Sequence, residues 1–416
     1  MDGADVRILA PALGAGVSAL PVMIVQPSVL IVTKRLDRGG AEQHIATISP
    51  ALRDKGIDVE VFVLERGGAL EAGLAATGVP VSGVGRTTGG LAHVVRATFA
   101  LATHLRKRRF DAVHFFLPEA YMLGSVAAIV ARRPVRIMSR RSLGHYQRNH
   151  PYLARAERWL HRLTSVLLGN SSAVVNEIAL EAGRRDKIGL IYNGVAVPAS
   201  PTQAIRQNAR AKLKISDSAF VIVTVANLIA YKGYRDLLEA LASIATSLPK
   251  QWKLVAVGRD EGIGADLIRY VAAQGLADSI MWLGERDDVP DILAAADAFV
   301  LASHQEGFSN ALIEAMAHGL PAVATAIGGN LDAVADGQTG LLVGVQSPGQ
   351  LAAAILKLAL DPDLRQSYGA AARARVQSLF SLKACVARYE NLYRGLSRVG
   401  HDSVQSIIDT PPDQPV

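Results

Sequence analysis

The stretch EGFSNALIEAMAHGLPAVAT, from Glu306 to Thr325, sets two carboxylates, Glu306 and Glu314, around a Gly-Phe-Ser-Asn turn in an otherwise apolar neighbourhood. AFVLAS before the turn predicts a strand. ALIEAMAHG after it predicts a helix, stopped by Gly319 and Pro321. Ser309 or Asn310 suits the N-cap. A helix that starts at the C-terminal edge of a strand points free amides and its positive dipole end into the space beyond the sheet, which suits a diphosphate. Glu314 lies one turn into this helix, too far in to cap it, and is placed to accept hydrogen bonds from ribose hydroxyls. Glu306 precedes the turn, where a carboxylate holds sugar hydroxyls or offsets developing positive charge. The plainer alternative is a capped surface helix with two solvated glutamates.

Such a site needs strands that end side by side with helices starting beside them. SVLIVTK, DVEVFVLE, DAVHFFL, VRIMSR, SVLLGNS and KIGLIYNG predict strands, most of them followed by alanine- and leucine-rich segments. Near Asn193 the pattern pauses, and GVAVPASPTQAIRQNARAK reads as a linker. AFVIVTVANL, WKLVAVG, IMWLGE, AFVLAS, PAVAT and GLLV then restart it. A helix from about Asp236 puts Leu237, Leu241, Ile244 and Leu248 on one stripe before Pro249. Apolar strands alternating with helices imply parallel sheets covered on both faces. The expected fold class is α/β, with two Rossmann-like doubly wound halves and a ligand between them at strand C-terminal ends.

The chain has 416 residues, enough for one large or two ordinary domains. Aromatic residues are only 5%, which argues against stacking platforms for single-stranded nucleic acid. A net charge of +7 favours an acidic partner: a nucleotide, a nucleic acid or an anionic membrane surface. The lone Cys385 excludes a disulfide framework or a cysteine-based zinc site within one chain and fits a reducing cytoplasm. No apolar run reaches the length of a spanning helix. Residues 1–27 lack a basic leader and read as an extension of little structure, with a signal peptide as the minor reading and Met23 as an alternative start.

The motifs as a set resemble the retaining GT-B glycosyltransferases of family 4, also called glycosyl transferases group 1. E-x7-E followed by AMAHGLPAVAT carries the resemblance. RGGAEQHI (Arg38 to Ile45), NGV (Asn193 to Val195), VANLIAYKGYRDLLEA, GERDDVPDILAAADAFVLAS and GGNLDAVADGQTGLLV follow the expected order over roughly Ser28 to Leu396. The resemblance implies a GT-B fold: an acceptor domain over 28–198, a nucleotide-sugar donor domain over 199–378, a helix over 379–400 packing back on the first domain, and a flexible tail over 401–416. It implies that Glu306 contacts the donor sugar and Glu314 the ribose. Amides near Phe308, Ser309 and Asn310 would hold the diphosphate and Lys232 would neutralise it. Gly39 and Gly40 would let the backbone approach the same phosphates. No metal or other cofactor is expected, the nucleotide sugar being a substrate. Asp287 and Asp288 read as a helix cap.

Two positions depart from the family pattern. Asn227 stands where an arginine is common; it is carried as a donor-binding candidate that can give a hydrogen bond but no charge, so one phosphate-neutralising charge is missing, and Arg140 or Arg141 is a candidate to supply it. The family's H-x-H pair becomes His114 and Phe116, and phenylalanine cannot hydrogen-bond. His114 is carried as a catalytic candidate, against the alternative of a buried strand histidine, with Glu119 as a further cleft candidate. His145 joins Arg140 and Arg141 on the acceptor side.

From Arg132 to Arg162 the chain carries nine arginines and one acid, Glu157, with Tyr152, Leu153 and Trp159 interleaved. This suits peripheral contact with an anionic membrane on its cytoplasmic side and a lipid-diphosphate-linked acceptor; a solvated helix is the alternative. The expected activity is transfer of a sugar from a UDP- or GDP-sugar to a glycan or lipid-linked acceptor in cell-surface polysaccharide synthesis, without nucleic acid. A nucleotide-sugar epimerase on the same fold, or a non-enzymatic polyanion-binding module, are the competing readings.

Overall fold

The computed structural model describes residues 26–85, 90–133, 135–144, 147 and 150–398. The N-terminal extension up to residue 25, His145 and the tail from residue 399 lie outside the described residues. Two parallel sheets form the molecule. The first contains β1 (Ser28–Thr33), β2 (Asp58–Val63), β3 (Val81–Gly83), β4 (Ala112–Phe116), β5 (Arg136–Arg140), β6 (Val166–Gly169) and β7 (Ile188–Leu190), in the order β3-β2-β1-β4-β5-β6-β7. The second contains β8 (Phe220–Val225), β9 (Trp252–Val257), β10 (Ile280–Gly284), β11 (Ala298–Leu301), β12 (Ala322–Thr325) and β13 (Gly340–Val343), in the order β10-β9-β8-β11-β12-β13. Each order reverses once, between β1 and β4 and between β8 and β11. In a parallel sheet such a switch point opens a crevice where neighbouring loops leave in opposite directions.

The central strands are buried on both faces, which explains their unbroken apolar runs. One face of the first sheet packs on the helices Gly40–Asp54 and Leu382–Arg398, the other on Leu91–Lys107, Pro118–Val130, Pro151–Leu163 and Ser172–Ala182. Leu237, Leu241, Ile244 and Leu248 are all buried in the core of the second sheet, on and just beyond the helix Tyr234–Ile244. Two elements differ from the sequence reading. β3 is three residues long, too short to show a period. The expected linker contains the helix Gln203–Lys212, capped by Thr202, whose hydroxyl accepts from Ile205 N. Its buried side is not an aliphatic stripe. Arg206 and Arg210 reach from it to the carboxylate of Asp297, so its composition reads as polar.

The C-terminal helix Leu382–Arg398 returns to the first sheet and buries Cys385, Val386, Tyr389, Leu392 and Tyr393 there. The outward and return crossings between the lobes run side by side: Val195 N donates to Phe380 O at 2.9 Å and Leu382 N to Val195 O at 2.8 Å. Gly194 allows this approach, since a Cβ there would sit 2.5 Å from Cys385 Cβ and 2.9 Å from Leu382 Cα. Gly194→Ala should therefore lower unfolding free energy by about 1–3 kcal/mol, the usual cost of overpacking, as read by urea denaturation.

Candidate functional site

The two switch points face each other across a cleft of about 600 Å³. Its first wall comes from residues just past strand ends: Gly40 to Glu42 after β1, Leu117 after β4, Arg141 to Leu143 after β5, Asn170 after β6 and Asn193 after β7. Its second wall is Val225 at the end of β8, Tyr231 and Lys232 beyond it, and Gln305 to Ala311 after β11.

Lys232 and Glu306 meet in this cleft. Lys232 Nζ lies 2.7 Å from Glu306 Oε1, and Ser303 Oγ donates to the same oxygen at 2.7 Å. Glu306 is only 8% exposed, so these two donors stand in for the water its carboxyl group loses on burial. Lys232 ends a short 3-10 turn that Gly233 closes at φ +67°, where a Cβ would lie 1.9 Å from Ala302 O. The Lys-Gly pair is thus one unit: the glycine lets the turn press onto the end of β11, and the lysine reaches the carboxylate beyond. Phe308, Ser309 and Asn310 line the same wall, and Ser309 caps the helix Asn310–Ala317 by accepting from Leu312 N. Asn310 Oδ1 accepts from Asn193 Nδ2 of the opposite lobe. Gly39 is the N-cap position of the helix Gly40–Asp54, and a Cβ on Gly40 would stand 3.8 Å from Asn310 Nδ2.

Glu314 lies apart from this group. It lines a neighbouring cavity of about 310 Å³, which shares Asn310 with the cleft and is walled by Gly194, Val195, Pro198, Pro290 and His318. Burial raises its carboxyl above the ordinary range. The two glutamates therefore bracket the helix start as the sequence suggests, but they open into adjoining spaces.

Four expected residues are placed elsewhere. His114 is fully buried, with Nδ1 2.7 Å from Tyr393 Oη and Nε2 2.8 Å from Ser139 Oγ. Burial, followed by the nearby Arg141 charge, pushes its pKa well down, so it is a neutral core histidine and not a cleft catalyst. Arg140 is 1% exposed and donates to Glu157 and Glu181 at 2.6 Å each, which removes it from the acceptor side. Burial would raise the Glu181 carboxyl, but hydrogen bonds from His161 and Arg140 bring it down to about 2. Asn227 is exposed and bridges Glu261 and Arg259 N, off the cleft wall. Glu119, also outside the cleft, pairs with Lys34 at 2.8 Å.

Arg141 is the arginine that lines the cleft. Consecutive residues on a strand point to opposite sides, so Arg140, the last residue of β5, turns into the helix layer while Arg141 emerges beyond the strand. Its guanidinium stands 5.7 Å from the ring of the buried Phe116, and Nη1 donates to Tyr389 Oη at 3.3 Å. Its Nε and Nη2 are buried without a hydrogen-bond partner among the described residues. Those nitrogens form the side-on fork that takes a carboxylate or phosphate.

Asp287 pairs with Arg38 across the lobes at 2.9 Å, and Asp288 occupies the N-cap position of the helix Val289–Ala295 while pairing with Arg286. The groups with metal-ligand spacing among the described residues, Glu157, His161 and Glu181, hold the Arg140 guanidinium between their two carboxylates. Sequence reasoning missed Glu42, Leu117, Asn170 and Tyr231 as wall residues. Asn170 and Asn193 each lie near the C-terminal end of a predicted strand segment, SVLLGNS and KIGLIYNG, so the switch-point rule applied to every strand end would have found them.

Two facing doubly wound sheets with a strand-end cleft define the GT-B architecture. Residues 38–197 match the family described as Glycosyltransferase Family 4, and residues 205–375 match Glycosyl transferases group 1. The chain belongs to the GT-B glycosyltransferases of family 4. Among its curated relatives, N-acetyl-alpha-D-glucosaminyl L-malate synthase of Bacillus anthracis is 30% identical over 44% of this chain and 48% of that protein. The chain thus spans about half the length of the first relatives it matches. A D-inositol 3-phosphate glycosyltransferase of Corynebacterium diphtheriae is 25% identical over 86% of this chain and 90% of that protein. Among solved structures, Anabaena HepE in complex with UDP superposes with a TM-score of 0.78 at 23% identity, covering 87% of this chain and 98% of that one. WaaG, described as a glycosyltransferase involved in lipopolysaccharide biosynthesis, gives 0.69 at 18%, covering 88% and 100%. At these identities the superpositions speak for the fold.

Lys232→Met should cost about 3 kcal/mol in urea denaturation, because it strands a buried carboxylate, and adding Glu306→Gln should recover part of the loss. His44 and His114 are both held neutral by burial with pKa well below 6.5. The unfolded chain binds their protons first, so this part of the stability is present above about pH 6.5 and is lost as pH falls below it. Thermal melts from pH 7.5 to 5.5 should fall less steeply in His114→Gln than in the parent.

Proposed function

We propose that the protein transfers a sugar from a nucleoside diphosphate sugar, with retention of the anomeric configuration, to an acceptor held against the first lobe. The observation that carries this reading is the Lys232–Glu306 pair beside the capped start of the helix Asn310–Ala317, inside the cleft between the two switch points. Helix amides and Lys232 would stabilise the departing diphosphate; the ammonium has three donors and spends one on Glu306. Glu306 would face the sugar, where a fixed carboxylate offsets an oxocarbenium-like centre. Glu314, one cavity along, would take the ribose hydroxyls. Gly39 and Gly40 would leave room for the phosphates, and Arg141 would offer the charge that Asn227 lacks. No metal is assigned a role.

The HepE structures with UDP and UDP-glucose make a uridine nucleotide the first donor to test, with GDP-sugars next. The acceptor in this reading is a glycan or lipid-diphosphate-linked sugar in cell-surface polysaccharide synthesis, reached through peripheral contact with the cytoplasmic face of a membrane. Relatives named for inositol phosphate and malate make a small anionic acceptor the next class to try.

Titration calorimetry against UDP-, GDP- and ADP-sugars tests the reading. One nucleotide should bind tightly, unchanged by EDTA, and Glu314→Ala and Lys232→Met should each weaken it roughly tenfold, about 1.4 kcal/mol. Folded protein that binds none of the three would overturn it.

A further inference from the structure

The helix layer on one face of the first sheet carries an apolar ridge that nothing among the described residues covers. On the helix Leu91–Lys107, Leu91, Val95 and Phe99 follow one another at four-residue spacing and are 79%, 60% and 70% exposed. Residues so spaced lie on one side of a helix. The opposite side of the same helix, with Ala97, Leu101 and Leu105, is buried against the sheet. The ridge therefore faces outward. The neighbouring helix Pro118–Val130 adds exposed Val126 and Val130, and the helix Pro151–Leu163 adds Tyr152 and Trp159. Scattered apolar side chains are ordinary on a surface, whereas rows of them on three adjacent helices are not.

Charge on these three helices is mostly of one sign. Arg96, Arg106 and Lys107 are exposed on the first of the three helices, and Arg155, Arg158 and Arg162 on the third. The three helices contain two acids. Glu119 is paired with Lys34, and Glu157 is buried on Arg140. The outward face thus combines aromatic and aliphatic side chains with basic ones: Arg155 and Arg158 share a depression with Glu177 and Glu181, while Arg96, Arg106 and Lys107 pair with no acid among the described residues. An acidic protein partner would supply the complementary charge but gives no account of a ridge running along whole helices. A lipid bilayer with anionic headgroups satisfies both features: apolar side chains enter the acyl boundary and arginines stay at headgroup level.

We propose that this face, centred on Val95 and Phe99, is a docking surface for an anionic bilayer, with the helix Leu91–Lys107 lying in the interface. The contact is wider than the arginine-rich stretch legible in the sequence, because its main apolar element lies upstream of that stretch. It rests on the peripheral membrane contact of the proposed function but not on the transfer reaction, so loss of vesicle binding and loss of nucleotide binding are separate failures.

Co-sedimentation of the full chain with vesicles tests it, using phosphatidylcholine alone against phosphatidylcholine containing about one-third phosphatidylglycerol. Binding to the anionic vesicles only, weakening several-fold as salt is raised, is expected. The variant Val95→Ser with Phe99→Ser changes exposed residues and should keep the parent melting temperature and nucleotide affinity while binding vesicles roughly tenfold less. Arg155→Glu with Arg158→Glu should weaken both the binding and its salt dependence, since Arg96, Arg106, Lys107 and Arg162 remain. Equal binding to neutral vesicles, no binding to either kind, or unchanged binding by the serine variant would each overturn the proposal. So would a solution dimer that the serine variant dissolves while vesicles stay unbound, which would give the face to a second copy of the chain.

Discussion

The arrangement depends on one constraint: the chain crosses between its two sheets twice, and the crossings are hydrogen-bonded to each other at Val195 and Ser381. A single crossing would leave the sheets free to swing about one peptide segment. Two crossings clasped backbone to backbone restrict the sheets to a narrow family of relative positions. The return crossing also commits the helix Leu382–Arg398 to the core of the first sheet. The last described element therefore completes the first lobe. Through the Tyr389 hydroxyl it also reaches Arg141 on the cleft wall.

Given that placement, the chemistry of the cleft follows from how charge is handled where strands end. Parallel strands deliver their C-terminal ends to one edge, and helix starts gather there with unpaired amides. Glu306 brings a negative charge to this edge and is stabilised by Lys232 and Ser303. Arg141 brings a positive charge, half paired, over an aromatic ring. In the proposed reading such a site would take an anion between opposed fixed charges, with little reorganisation of its own groups. The buried Arg140–Glu157–Glu181 cluster, one residue away in sequence, is a closed set that holds helices to the sheet.

The outer layer of the first lobe works under a different constraint. Its helices bury one side against the sheet, and nothing requires the other side to be apolar. Polar residues would satisfy the fold there at lower risk of aggregation. Leu91, Val95 and Phe99 on the outer side are therefore better accounted for by something outside the chain than by folding.

Much of this was legible in the sequence, because periodicity and motif spacing are local properties. The strands of both sheets except β3, the stripe Leu237–Leu241–Ile244–Leu248, the Ser309 cap and the grouping of Glu306 with Lys232 follow from residues near one another in the chain or from one family pattern. Tertiary structure alone decided the rest, since side-chain direction at a strand end and partnership across the fold are not encoded locally. His114 became a core residue because Tyr393, 279 residues later, lies over it. Arg140 and Arg141 look equivalent in sequence, yet the pleat turns one inward and frees the other for the cleft. The helix Gln203–Lys212 hid in an apparent linker because its anchor, Asp297, lies 87 residues beyond Arg210 in the chain. Glu314 fell into a second cavity because one helical turn carries a side chain about 5 Å along the axis, past the wall that Asn310 forms.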